Sequence, residues 1–367
     1  MLLASAPPPM EPAPTPSLSG VVEVETVDFS PQIAIPDFST DKGRVWRVCE
    51  GCEHTSLSQA LATAQDGDTI RLAPGLYTDC VKVIKKSIAI VGEIGEDGTR
   101  ATFNRACAGK AAFNLAGAFA RLEGIQVQDI AVADRNGACV RLQPRGEASL
   151  VVHLRNIICV RSENGVLGGA GPSGALIVES SLFVGNGKEG RAHGIYMGNG
   201  REFVFRDSVV HSTKDGGHSL KIGAQRALIV SSIVAALDGD NSRAIDFFGG
   251  GVLYVNDSVL QQGPRSDNHD MIGLLNEVRR MNRGVPHAVY VRDSWLIYDD
   301  ENRCCRWLLS GRKSGDILFE GNRMVAINGS RLTGYETRDN KRVGNRAAAG
   351  LAAYDATLEA LPKPAAW

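Results

Sequence analysis

HGIYMGNGREFVFRDSVVHSTKDGGHSLKIGAQRALIVSSIVAALDGDNSRAID, residues 193–246, repeats itself. The quartets His193-Gly194-Ile195-Tyr196, His218-Ser219-Leu220-Lys221 and Arg243-Ala244-Ile245-Asp246 align, and Asp270-Met271-Ile272-Gly273 continues the series. Ile195 to Leu220 is 25 residues, Leu220 to Ile245 is 25, and Ile245 to Ile272 is 27. Self-similarity at such a period signals a repeat architecture, in which each unit packs only on its neighbours. If the aliphatic residue of each quartet points inward, the period-two alternation of a strand turns the next one outward. Tyr196, Lys221 and Asp246 are therefore expected in one external column. His193, His218 and Arg243 stand two positions before the aliphatic residue, at a corner, and are expected to rim the same face, with Asp270 next in line.

A second ladder supports the register. Ser181, Ser208, Ser232, Ser258, Ser294 and Asn322 recur in similar surroundings at steps of 27, 24, 26, 36 and 28, with Arg155-Asn156-Ile157 one unit earlier. Small polar residues at a repeated corner suit a turn whose side chains bond to the backbone. The long step holds about ten extra residues, Asn276–Val285, and insertions in repeat arrays emerge as loops, often on the binding face. Arg279, Arg280 and Arg283 make this loop either a solvated surface feature or a basic wall beside a cleft for an acidic polymer.

Outward from the repeats, Thr55-Ser56-Leu57-Ser58 opens a short helix expected over Gln59–Ala64, with Leu57, Ala60, Leu61 and Ala64 on one face. DGDTIRLAPGLYTDCVKVIKKSIAIVGE, residues 66–93, follows. It reads as a turn, a strand at Thr69–Leu72, a turn at Pro74–Tyr77, and strands at Val81–Ile84 and Ser87–Gly92. This helix and run resemble the cap and first coil of the right-handed parallel β-helix, or pectin-lyase-like, superfamily. The resemblance covers roughly residues 46–330. It implies an all-β, right-handed parallel β-helix: a solenoid of about ten three-stranded coils with an N-terminal helical cap. HGIY, GHSLK at 217–221, and Ile245-Asp246 with Gly249-Gly250-Gly251 are also similar to motifs of a group of bacterial right-handed β-helix repeat proteins.

Three regions are expected. Residues 1–40, with Pro7-Pro8-Pro9, Pro12, Pro14 and Pro16, read as a disordered Pro-rich leader. Residues 41–335 are the β-helix. Residues 336–367 are a C-terminal tail, with a short helix over Leu351–Leu361. The chain has 367 residues, 40 basic and 41 acidic, for a formal charge of -1, so no global field favours nucleic acid. The longest apolar runs fall short of a membrane span. Oligomeric state is not legible. Of the eight cysteines, Cys49 and Cys52 have knuckle spacing, but no second CxxC supplies a zinc site. A local disulfide or a cap loop with two free thiols is expected there, and Cys139 and Cys159 read as small core residues. Cys304-Cys305 carries no reading.

The column suggests chemistry on a uronic-acid polymer. β-Elimination needs a base for the C5 proton, cationic or hydrogen-bonding groups for the enolate-like transition state, and an acid for the leaving oxygen. Lys221 or His218 is the expected base, Arg243 the carboxylate clamp, and Tyr196 or His193 the acid. Asp246 orients Lys221 or helps hold a cation, and with Arg243, Asp270, Arg279 and Arg280 it makes up the substrate-binding set. The same groups would serve C5 epimerisation. A non-catalytic polysaccharide-binding or scaffold β-helix is the alternative, and a hydrolase using Asp246 and Asp270 is third. No cofactor is expected, since the clustered calcium-binding aspartates of pectate lyases are absent and calcium has no ligand set. The Asp-Pro-His quartet of alginate epimerases and the paired aspartates of polygalacturonases are missing as well. An acidic polysaccharide as partner implies a periplasmic or secreted protein, although Met1–Ala6 lacks the basic, apolar make-up of a signal peptide.

Overall fold

The computed structural model describes residues 28–36, 43–268, 270–277, 282–299, 307–311, 315–327 and 335–367. Val278, Arg279, Arg280, Cys304 and Cys305 lie outside them. The chain divides into two units, Met1–Ser30 and Pro31–Trp367. In the first, the Ser30 N–H donates to the Asp28 carboxylate at 2.8 Å.

The second unit is a right-handed parallel β-helix. Short strands separated by corners bring each turn of chain above the one before, and every inter-coil pairing is parallel. A first face runs from Val45–Val48 and Thr69–Leu72 to Asp316–Glu320 and Glu336–Arg338. A second face holds eleven strands among the described residues, from Gly75–Tyr77 to Lys341–Val343. A third runs from Ala111–Leu115 to Trp307–Gly311. The long strands Ile195–Arg206 and Leu220–Val230 bend through a register shift at Met197/Gly200 and serve both the third and the first face. The solenoid thus continues past residue 335, through Val343.

The inward residues of all three faces form one core, with Phe113, Phe183, Phe203, Phe205, Phe247 and Phe319 among its largest buried members. The helix Leu57–Thr63 closes its N-terminal end. Ser56 caps it by accepting the Gln59 N–H, and Leu57, Ala60 and Leu61 turn onto the core. Lys86 Nζ donates to the Leu61 carbonyl at 2.6 Å, placing a cation where the helix dipole is negative. Gly75–Tyr77 is a strand rather than a turn, because it pairs with Ala101–Phe103. Val81–Ile84 is not a strand: only Ile84 makes a bridge, to Leu115.

One corner holds the polar ladder that the repeats predict. Ser181 N–H donates to Ser208 Oγ at 3.1 Å, Ser208 N–H to Ser232 Oγ at 3.2 Å, and Ser232 N–H to Ser258 Oγ at 3.2 Å. Ser258 N–H continues to Ser294 Oγ at 3.1 Å, and Ser294 N–H to Asn322 Oδ1 at 3.0 Å. Each residue just before a ladder serine turns the chain in the left-handed region, with φ of 48° at Ser180 and Asp207, 47° at Ser231, 45° at Asp257 and 49° at Asp293. Asp and Ser tolerate that conformation better than bulkier residues.

Both ends of this unit lie along the solenoid. Gln32 and Ile33, within the stretch read as a disordered leader, donate their backbone N–H groups to Glu202 Oε2 at 2.9 and 3.2 Å. Pro31, Ile33 and Ile35 are half-buried while Gln32, Ala34 and Pro36 are exposed, the alternation of an extended segment with one apolar side. The expected helix over Leu351–Leu361 is absent. Ala356 has φ of 59°, which interrupts a helix, and Arg346 takes the carbonyls of Ala352 and Ala360. Leu351, Leu358 and Leu361 instead cover Ile233, Leu237, Val259 and Ile297 on the outer side of the second face. Tyr354 Oη donates to the Leu237 carbonyl and Trp367 Nε1 to the Ser231 carbonyl, at 2.5 and 2.8 Å.

Among the described residues, three disulfides join Cys49 to Cys52, Cys80 to Cys107 and Cys139 to Cys159. Cys139 and Cys159 are buried as expected, but as a bonded pair, since Ala138–Leu142 and Ile158–Val160 bring their side chains together inside the core. Among the described residues no helix is long and apolar enough to cross a membrane.

Candidate functional site

The register of the third face matches the column read from the repeats. Ile195, Leu220, Ile245 and Ile272 are paired in order and buried in the core. Outside them Tyr196 pairs with Lys221, Lys221 with Asp246, and Asp246 with Gly273. The column extends in both directions, through Leu167, Arg141 and Asn114 on one side and Ser310 on the other.

Lys221 is the centre of charge. Its Nζ is 2.6 Å from Glu277 Oε1 and 3.6 Å from Asp246 Oδ2. It also lies 5.7 Å from the centroid of the Tyr196 ring and 5.3 Å from that of Phe248, in range for cation–π attraction.

Asp246 is 2 % exposed and collects three donors. Asn276 Nδ2 donates to Oδ1 at 3.0 Å, while His218 Nε2, at 3.3 Å, and Lys221 approach Oδ2. Gly273 is required beside it: a Cβ there would stand 2.3 Å from Asn276 Nδ2 and 2.8 Å from Asp246 Oδ1.

The two histidines stack, with ring centroids 5.2 Å apart and planes at 15°, and His193 meets Tyr196 edge-on at 5.4 Å. The His218 N–H donates to His193 Nδ1 at 3.0 Å, and the His193 N–H donates to Asn164 Oδ1 at 2.9 Å. The acceptor role of Nδ1 places the His193 proton on Nε2. Burial, followed by the charges of His218 and Lys221, holds the His193 imidazole well below its ordinary range. Burial, then the charges of Lys221 and Arg243, pushes His218 down to about 3. His218 Nε2 lies 3.3 Å from Asp246 Oδ2, and its buried Nδ1 has no hydrogen-bond partner.

Arg243 does not point at an open groove. Its Nε binds the Asp270 carboxylate, which also accepts the Ser310 hydroxyl. Tyr196, Lys221, Asp246, His193 and His218 are thus brought into one connected group, with the Arg243–Asp270 pair at the adjoining corner. Arg279 and Arg280 lie outside the described residues. Among the described residues no three His, Cys, Asp or Glu side chains are placed to hold a metal ion together.

The sequence reading missed Glu277, Asn276 and Phe248. Glu277 and Asn276 belong to the insertion, which was read only for its arginines. Phe248 stands two residues after Asp246, between Phe247 and the glycine run, and no repeat marks it.

No family model matches the chain, and no curated protein does. Among solved structures it is similar to the pectate lyase Pel9A, with 15% identity, a TM-score of 0.43, and coverage of 85% of this chain and 82% of that one. The PL6 family alginate lyase AlyGC matches at 14% identity and a TM-score of 0.44, over 86% of this chain and 42% of that one. A pectin methylesterase from Aspergillus niger matches at 11% identity and a TM-score of 0.36, over 82% and 86%. These likenesses concern the fold alone.

Proposed function

We propose that the third face acts on an acidic polysaccharide, removing the C5 proton of a uronate in β-elimination or C5 epimerisation. The observation that carries this reading is the placement of Lys221 between Glu277 and Asp246 and over Tyr196 and Phe248, with neutral His218 behind it. Charge that develops on the substrate carboxylate during C5 deprotonation would be stabilised by a fixed ammonium in a poorly hydrated wall. Lys221 or His218 is the base in this reading, with the Asp246 carboxylate beside both. Tyr196 is the acid in this reading, since His193 is buried at 3 % exposure. Arg243 supports the wall through Asp270 rather than acting as a free clamp.

The protein is proposed to work outside the cytoplasm. Three disulfides form and persist in oxidising compartments, and polymeric uronides are met there.

The test is a screen of polyuronides for the ultraviolet absorbance of the unsaturated sugar, run beside solvent deuterium incorporation at C5 to detect epimerisation. Activity that survives combined Lys221→Ala and His218→Ala overturns the assignment. Binding without turnover is the outcome of the second reading, a non-catalytic β-helix. That reading is favoured by one feature: Lys221, Arg243 and His218 each already hold a carboxylate of this chain.

A further inference from the structure

Arg141 occupies the same outward column as Lys221. The register runs Arg141 to Leu167, Leu167 to Tyr196, and Tyr196 to Lys221, three steps of the coil stack. At ~4.8 Å per step the two cations stand about 14 Å apart along the solenoid. Between them Leu167, 8 % exposed, packs with Tyr196 into an apolar stretch.

The two cations differ in one respect. Lys221 has Glu277 and Asp246, whereas no carboxylate of the described residues lies within ion-pair distance of Arg141. The Arg141 Nη1 donates to the Asn136 carbonyl at 3.3 Å, a neutral acceptor. Asp134 is the acidic side chain whose charge reaches it, and that carboxylate is paired with Lys110 at 3.5 Å. A half-buried guanidinium without a counter-ion is unusual, because burying a charge costs free energy unless the charge is paired. One guanidinium edge fixed on a backbone carbonyl leaves further N–H donors of the planar fork for a carboxylate.

We infer that Arg141 is a second carboxylate-binding position, and that an acidic glycan lies along the coil axis from Arg141, over Leu167 and Tyr196, to Lys221. This inference rests on the polyuronide reading of the wall. It deepens that reading by giving the polymer a direction and a minimum length. A sugar residue of a linear glycan advances by about as much as one coil, so an oligomer must span about three coils to meet both cations. Tyr196, packed against the buried Leu167, gives the intervening rings an apolar floor, and Arg141 and Lys221 hold carboxylates at its two ends.

The experiment is calorimetric titration of the full chain with oligouronides of graded length, beginning at the disaccharide, and with neutral oligosaccharides of matching length. The unaltered protein is expected to gain affinity once the oligomer spans three coils. Arg141→Ala is expected to reduce that gain about tenfold. Arg141→Lys restores part of it, since the charge remains and the fork is lost. Arg141→Gln, which retains donors for the Asn136 carbonyl, separates local unfolding from loss of charge. It should match the alanine variant in binding and the unaltered protein in thermal midpoint. If the gain with length is the same in Arg141→Ala, the inference fails while the polyuronide reading stands. If the unaltered protein binds no oligouronide, or binds neutral oligomers equally well, both fail.

Discussion

The ammonium of Lys221 and the carboxylate of Glu277 meet at 2.6 Å, although 56 residues separate them in the chain. One comes from the regular column, the other from the insertion in the longest coil. Glu277 therefore occupies the position on Lys221 that the carboxylate of an acidic ligand would take. Glu277→Gln removes this competitor and keeps a side chain of the same shape. Affinity for an acidic oligosaccharide is expected to rise severalfold, with the gain shrinking as salt is added. An unchanged or weaker affinity would show that Glu277 does not compete at Lys221.

The buried histidines make stability depend on pH. Both His193 and His218 lie below their ordinary value of 6.5 in the folded chain, His218 at about 3. Below pH 6.5 the unfolded chain takes up protons that the folded chain refuses, so stability falls as the pH falls and is complete above that value. Each histidine contributes a slope of ~1.4 kcal/mol per pH unit at most, from pH 6.5 down to about 3 for His218. Urea unfolding midpoints measured across this window should decline towards acid, and His218→Gln should flatten the decline. A midpoint independent of pH would contradict the neutral, buried pair.

The serine ladder has a predicted cost of rupture. Ser232 Oγ accepts from the Ser208 N–H and lies within hydrogen-bond reach of the Val230 and Phe205 carbonyls. Ser232→Ala leaves a buried N–H without its acceptor, which costs about 1–3 kcal/mol. Chemical denaturation should show that loss with little change in far-ultraviolet circular dichroism. A variant as stable as the parent would mean that water replaces the hydroxyl at this corner.

The disulfides should differ in reactivity. Cys80 is exposed and Cys49 and Cys52 are half-buried, whereas Cys139 and Cys159 are fully buried. Mild reduction of the folded protein, followed by alkylation and peptide mapping, should label the first two pairs and spare the third until the chain unfolds. The Cys139–Cys159 bond links positions 20 apart, and its loss is expected to cost about 3 kcal/mol. Labelling of Cys139 as fast as Cys80 would contradict the burial.

What was legible in the sequence follows from what repeats. Tyr196, Lys221 and Asp246 fall into register because the same aliphatic neighbour recurs beside each of them, and the ladder serines because each serves the same corner. Arg141 obeys the same register, but its coil lacks the His-Gly or Gly-His start that made the later quartets visible. Glu277 had no such signal, since an insertion has no counterpart in neighbouring coils. The Cys139–Cys159 pairing is set by which strands meet in the core, whereas Cys49–Cys52 follows from its spacing. The tail from Leu351 to Leu361 has a helix-like composition, yet it pairs its leucines with the outer side of Ile233, Val259 and Ile297. Tertiary burial there outweighs local propensity.

The serine corner also separates the length of a turn from the pitch of the stack. Ser258 reaches Ser294 at 3.1 Å across the 36-residue coil, while Ser208 reaches Ser232 at 3.2 Å across 24 residues. The corner thus works as a ruler that is blind to how far the chain has wandered between its marks. Chain added between Leu274 and Ala288 can be lengthened, shortened or exchanged without moving the next rung. The wall beside Lys221 is therefore a place where new recognition loops can be grafted while the scaffold beneath stays in register.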